Sequence, residues 1–407
     1  MTTEAVSRPG TTGFLAQRRA VGCLFGAWLL SVFSQGYIIV PASVLPVITT
    51  EFGITSSRAV WIVSATPGAW ALTNFALGSG IDRIGDVRAI LVAGLTVVVA
   101  SILGWWAGAH HRFWVLILSR LVAGAGIGIV WTASANVVGQ AFTGDTRGTA
   151  LGLFTTSAPA GFALAQVVTP LVAETDTWAA TFLLVAGCVL VSLGLFWYSV
   201  RDLQLQATDT PGNALQNVRQ ALGSRTVRFG CAMAFAAYSL YLFINSWMPT
   251  YLAEQFTISL ALSGLLSALF PAVGIVSRAS GGYVSDRLLG QRRIPVLRVS
   301  FLVALPVTAL VAYTTSVRVI AALLVVAGFV IQLTFGIVYS YVQESVAPGI
   351  SGTALSVLGT AGISGAFTAP LVAGALIDAT GTYLAAFGYA VGIACLGLVL
   401  AWFAPET

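Results

Sequence analysis

Twelve runs of about twenty apolar residues follow one another along the chain, each parted from the next by a short polar stretch. They fall near 20–42, 59–79, 89–108, 113–134, 149–171, 180–199, 229–250, 261–282, 296–314, 318–340, 353–374 and 382–403. A bilayer is crossed by about 20 mostly apolar residues in a helix. In hydrocarbon the backbone must satisfy its own hydrogen bonds, and a helix does this within one segment. The pattern therefore predicts an all-α membrane protein with twelve transmembrane helices. The first run follows Arg18 and Arg19, is long and lacks a small-residue cleavage site, so it is expected to stay as a helix rather than be removed as a signal peptide.

The polar stretches carry a repeat. Gly78-Ser-Gly-Ile-Asp82-Arg83-Ile-Gly85, after span 2, returns 204 residues later as Gly282-Tyr-Val-Ser-Asp286-Arg287, after span 8. At the same offset Pro67 meets Pro271, Val122-Ala-Gly124 meets Val326-Ala-Gly328, and Gly148-Thr-Ala-Leu151 meets Gly352-Thr-Ala-Leu355. Pro170-Leu-Val-Ala173 then meets Pro370-Leu-Val-Ala373 at an offset of 200. Each copy holds six spans and starts on the same side, so the repeats are parallel, related by an axis along the membrane normal. This gives an N-terminal six-helix bundle over 1–199, a linker over 200–228 and a C-terminal bundle over 229–407. The linker is the longest polar stretch and has room for one surface helix near 213–222.

Composition excludes a soluble domain: 8% of residues are charged and 57% hydrophobic, against roughly 25% charged in soluble proteins. All 19 basic residues are arginine. With the N-terminus inside, fourteen lie on the cytoplasmic side and three outside (Arg58, Arg112 and Arg318), while Arg120 and Arg278 fall within spans. That split follows the positive-inside rule and puts both termini in the cytoplasm of a multi-pass plasma-membrane protein. The net charge of +5 is thus a topology signal; the arginines are scattered over short loops, which excludes nucleic acid as a partner. Cys23, Cys188, Cys231 and Cys395 stand singly in apolar helices as packing residues. No metal motif, phosphate loop or nucleophile–base set appears, so neither enzyme activity nor a cofactor is expected.

Twelve helices in parallel halves, a central linker and Gly78-x-x-x-Asp82-Arg83-x-Gly85 together resemble the major facilitator superfamily over essentially the whole chain. A second motif of that family, Arg-x-x-x-Gly-x-Gly in span 4, matches Arg120, Gly124 and Gly126. Its antiporter motif in span 5 is poorly matched by Ala158-Pro159-Ala-Gly161. The resemblance implies a monomeric secondary transporter whose loop motif gates alternating access, with Gly78, Asp82, Arg83, Gly85, Arg88, Arg147, Gly282, Asp286 and Arg287 as gating residues. Physically, a carboxylate at Asp82 can pair with Arg83, Arg88 or Arg147, or face the positive end of a neighbouring helix.

Two arginines sharpen the expectation of cargo. Counting about 1.5 Å per residue from the nearest loop charge puts Arg120 and Arg278 each roughly 12 Å deep, near the midplane. A charge there costs at least about 2.5–3.5 kcal/mol and faces the bundle interior or a water-filled path. Their repeat partners are Leu324 and Asn74, so these are places where the halves diverge. All fourteen acidic residues map to ends, loops or tails. Two central guanidiniums without a carboxylate favour an anion that takes their forked hydrogen bonds; the same absence leaves no obvious carrier for a coupling proton. The segment Ser277-Arg278-Ala-Ser-Gly281-Gly282 resembles that of nitrate/nitrite porters, where an arginine contacts the anion, although their second arginine is Asn74 here. Arg120 has an alternative structural role, because Gly124 and Gly128 on its face allow close helix packing.

Gln35, Tyr37, Asn74, Tyr238, Tyr241, Asn245, Gln332 and Tyr339 complete the candidate substrate-binding set, with Trp131 beside them. Tyr238, Tyr241 and Asn245 recur on one helical face. The leading expectation is a symporter or related carrier of a small organic or inorganic anion, with a coupling proton or ion and the lipid bilayer as its other partners. The alternative is proton-coupled efflux of hydrophobic or cationic compounds, weakened by the absent intramembrane carboxylate. A non-transporting membrane sensor has no signalling domain to support it.

Overall fold

The computed structural model describes residues 11–142, 144–201, 203, 214–283 and 292–406. All regular structure among them is helical. In order the helices are α1 (Thr11–Ile39), α2 (Leu45–Phe52), α3 (Ser56–Ile84), α4 (Asp86–Ala109), α5 (Phe113–Ala141), α6 (Asp145–Thr155), α7 (Ser157–Thr175) and α8 (Ala180–Val200). After the linker come α9 (Ala214–Gly223), α10 (Arg225–Phe256), α11 (Leu260–Tyr283), α12 (Arg293–Tyr313), α13 (Val317–Glu344), α14 (Pro348–Thr380) and α15 (Tyr383–Phe403). Among the described residues eleven helices are long and apolar enough to cross a membrane; α3 is the remaining predicted span. Large apolar side chains such as Leu72, Trp114, Val191 and Trp402 remain uncovered by protein, which suits a hydrocarbon surround.

Two elements differ from the sequence expectation. The loop after span 1 holds α2, eight residues long, which has Pro46 in its first turn and stops at Gly53 with φ +59°. Proline at a helix start and a left-handed glycine at its end are the local signals; the element is too short to show as a span. Span 5 is divided between α6 and α7, which meet at Thr156. The linker helix α9 occupies the place where a surface helix had room.

The repeat is also a packing repeat. A Cβ on Gly124 of α5 would run into the Thr66 carbonyl of α3, and one on Gly328 of α13 would run into the Phe270 carbonyl of α11. Both glycines and both carbonyl residues are 204 apart. In lipid no hydrophobic drive pulls helices together, so close approach at small residues provides much of the packing. Polar ties recur with altered chemistry: Gln140 donates to the Asp86 carboxylate at 3.2 Å in the first half, whereas at the matching place Glu344 pairs with Arg293 at 2.7 Å in the second.

Between the halves, α3 runs along α14 and α7 along α11. On the face where α3 begins this contact is continuous. The Ser57 amide donates to Asp378 Oδ2 of α14 at 2.9 Å, Trp61 meets Phe367 edge-on at 6.0 Å, and deeper in, Gln166 Nε2 donates to Asn245 Oδ1 at 3.0 Å. Asp378 thus acts as an N-cap supplied by the opposite half, at the positive end of α3. Replacing it with alanine removes a cap worth about 0.5–2 kcal/mol. In a background free of native cysteines, Asp378→Ala should therefore speed labelling of a cysteine at Ala366 by an impermeant reagent added to that face several-fold. An unchanged rate would assign the closure to packing alone.

Candidate substrate site

Below that closed layer lies a cavity of about 360 Å³. Its walls run from the middle of the helices toward their other end: Pro67 to Asn74 of α3, Ile129 to Asn136 of α5, and Gly352 to Ala366 of α14. Those stretches lie toward the face where α1 begins, so the cavity belongs to that side of the molecule.

Arg278 of α11 is the one arginine among its described lining residues, and no aspartate or glutamate accompanies it. The guanidinium lies over the Phe335 ring at 4.7 Å and the Tyr241 ring at 5.4 Å. Cation–π contacts of this kind offset roughly 0.5–2 kcal/mol of the charge's cost. Nη1 donates to the Thr155 carbonyl at 3.3 Å, and Nε is buried without a hydrogen-bond partner. A buried donor left unmade costs about 1–3 kcal/mol, so the group is poised to gain from an acceptor. Around it stand Tyr238, which packs on Phe335 at 4.4 Å, and Tyr241, which stacks on Phe162 at 5.2 Å.

Of the residues expected from sequence, Gln35, Asn74, Tyr238, Tyr241, Tyr339 and Arg278 line this cavity together with Trp131. Asn74 therefore faces the same space as Arg278, its partner in the repeat. Tyr37, Arg120, Asn245 and Gln332 do not line it. Asn245 sits one turn beyond Tyr241 and is engaged by Gln166. Gln332 donates to the Phe270 and Gly328 carbonyls at 2.9 and 3.2 Å. Trp70, Asn136 and Phe162 line the cavity without having been singled out. Trp70 shares a helix face with Asn74, four residues on, and that spacing was the signal available.

Arg120 is fully buried, and each of its three guanidinium nitrogens donates to a carbonyl. Nε donates to the Ile62 carbonyl at 2.9 Å, Nη1 to Tyr37 at 2.6 Å and Nη2 to Ile38 at 2.7 Å. Its Cζ lies 4.3 Å from the Tyr37 ring centre. Tyr37 and Ile38 belong to the last turn of α1, where carbonyls lack intrahelical partners. The fourth residue after Tyr37 is Pro41, which has no N–H to give. The arrangement pins α1, α3 and α5 together.

Among the gating candidates, Gly85 takes φ +82°, a conformation open to glycine, and opens α4. The next residue, Asp86, accepts from Asn136 and Gln140 of α5. Arg88 and Arg147 are exposed, the latter with its guanidinium beside Gly139. Gly78 and Gly282 fall on the last turns of α3 and α11. Asp286, Arg287 and the side chains of Asp82 and Arg83 lie outside the described residues.

Comparison with known proteins agrees with this architecture. A Bacillus subtilis (strain 168) protein named as a hexuronate transporter is 25% identical over 396 residues, covering 91% of this chain and 90% of its own. A probable sulfoacetate transporter of Cupriavidus necator is 26% identical over 364 residues, covering 83% of each. The crystal structure of a bacterial homolog to the human lysosomal transporter Spinster, inward-facing and unoccupied, superposes with a TM-score of 0.73 at 16% identity over 98% of this chain and 97% of that one; at that identity the likeness speaks for the fold alone. The model of the Major Facilitator Superfamily matches residues 24–367. With twelve predicted spans, a doubled packing core and a cavity between the halves, the chain belongs to the Major Facilitator Superfamily of transporters.

Proposed function

We propose that the protein carries a small organic anion across the cytoplasmic membrane by alternating access, with Arg278 as the anion's anchor. The bundles 1–199 and 229–407 rock about the cavity, residues 200–228 link them in the cytoplasm, and both termini are cytoplasmic. In this orientation the cavity opens inward.

The observation that carries the reading is the guanidinium of Arg278, held in a cavity whose described lining has no carboxylate to neutralise it. An anion supplies the missing charge and accepts forked, charge-assisted hydrogen bonds. Trp70, Trp131, Tyr238 and Tyr241 give the cavity aromatic walls, which suit a carbon body better than a bare inorganic ion. Asn74, Gln35 and Asn136 offer neutral hydrogen bonds to its polar substituents. The two relatives named above are described as carriers of hexuronate and sulfoacetate, both acid anions. A proton coupled to transport would have to ride on something other than a lining carboxylate. The monomer is the transporting unit, since one chain encloses the cavity. In the opposite state the cytoplasmic face would be closed by the two loop motifs, Gly78, Asp82, Arg83 and Gly85 with Arg88 and Arg147, and Gly282, Asp286 and Arg287.

A thermal-shift screen of the purified protein tests this reading. A ligand of the folded state at 100 times its Kd adds about 2.7 kcal/mol of apparent stability. Carboxylates and sulfonates of sugar-acid size should raise the melting temperature, and their neutral amides should not. Stabilisation by hydrophobic cations alone would overturn the anion reading in favour of efflux.

A further inference from the structure

Span 5 is the predicted helix that the structure divides, and Pro159 lies one turn past the division. In an unbroken helix the Thr155 carbonyl accepts the N–H four residues on. That residue is Pro159, which has none. The carbonyl is left open toward the boundary between the halves, and Arg278 of α11 donates Nη1–H to it at 3.3 Å. The turn that presents it is braced from α1: Trp28 Nε1 donates to Thr156 Oγ1 at 3.0 Å, and Ser157 Oγ to Ser31 Oγ at 2.8 Å.

The same arrangement occurs at Arg120, whose Nη1 takes the Tyr37 carbonyl that Pro41 leaves open. There three donors are spent on carbonyls and the group is sealed. At Arg278 a single carbonyl and two rings hold the guanidinium, so most of its N–H groups stay uncommitted.

We propose that Pro159 is a positioning residue for the transport site: by leaving the Thr155 carbonyl open, it tethers the Arg278 guanidinium across the two halves and sets its remaining donors for the substrate. The consequence for substrate rests on the anion reading above; the tether itself does not. Ala158 and Phe162 of the same turn line the cavity, so this stretch of the N-terminal half touches the site on both sides of the proline.

The test is the rate at which phenylglyoxal modifies Arg278 in the full-length protein, followed by mass spectrometry. Pro159→Ala restores an N–H that closes on the Thr155 carbonyl within the helix, and the untethered guanidinium should react several-fold faster with no anion present. Thr155→Val alters the side chain but keeps the carbonyl, and should react like the unmodified protein. In proteoliposomes, Pro159→Ala should raise KM about tenfold with a smaller change in kcat, a split that general destabilisation would not produce. Equal modification rates in Pro159→Ala and the unmodified protein would overturn the tether. Should Pro159→Ala fail to fold, Pro159→Gly supplies the same N–H and the same readout. The two readings separate cleanly. If a sugar acid protects Arg278 but Pro159→Ala changes nothing, the tether is wrong and the anion site stands. If Pro159→Ala accelerates modification but no acid protects, the tether stands and the anion reading falls.

Discussion

Arg278→Ala is expected to abolish transport of the anion while the protein still folds and inserts. The guanidinium lines the cavity, makes one long hydrogen bond to protein and otherwise lies on aromatic rings. Its loss therefore strands a single carbonyl and leaves the helix contacts of α11 intact. For the anion the change is severe, because truncating one partner of a desolvated charge pair costs about 2–5 kcal/mol, or roughly thirty- to several-thousand-fold in affinity. Arg278→Lys should rescue poorly: an ammonium keeps the charge but loses the planar fork. Uptake into proteoliposomes, measured beside size-exclusion and melting profiles of the same preparations, separates the effects. Full transport by the alanine variant would sink the proposed site.

Arg120→Ala should have the opposite signature, losing folded protein rather than substrate affinity. Three carbonyls from two helices accept from this one side chain, and the two in the last turn of α1 depend on it. Each buried acceptor left unmade costs about 1–3 kcal/mol, and domains are commonly stable by only about 5–15 kcal/mol. Arg120→Lys cannot restore the clamp, since donors on one nitrogen cannot serve carbonyls that the arginine fork reaches with three. Expression level and melting temperature of both variants check the prediction. If Arg120→Ala folds normally and weakens only ligand binding, Arg120 is a substrate residue and the clamp reading is wrong.

These two arginines show how far the candidate site was legible. Their depth follows from counting residues, and their lack of a helical carboxylate partner follows from the positions of the fourteen acids. Tyr238 and Tyr241 were legible as one face of α10, and that face lines the cavity. The face continues through Asn245, but the cavity ends before it, because Gln166 crosses from the other half to close the path there. Phe162 directly follows the span 5 stretch Ala158-Pro159-Ala-Gly161, and no local pattern marks it as cavity-lining. Its exposure depends on how α7 meets α10 and α11. Asp378 reads as a loop-end acid in the sequence. Its service as the cap of α3, more than 300 residues away, is a property of the closed interface.

By itself the sequence determined the number of spans, their parallel duplication and the helical class. The bilayer imposes length and backbone satisfaction on each segment separately, and local constraints are written locally. The shared glycines at 124 and 328 extended this to the packing within each half. Only the tertiary structure decided what the two deep arginines do. At similar depths and with the same chemistry, one is sealed against three carbonyls and the other is held by one at the wall of a cavity. The difference lies in which acceptors other helices leave open, at Tyr37 before Pro41 and at Thr155 before Pro159, and in how many of them each fork can reach.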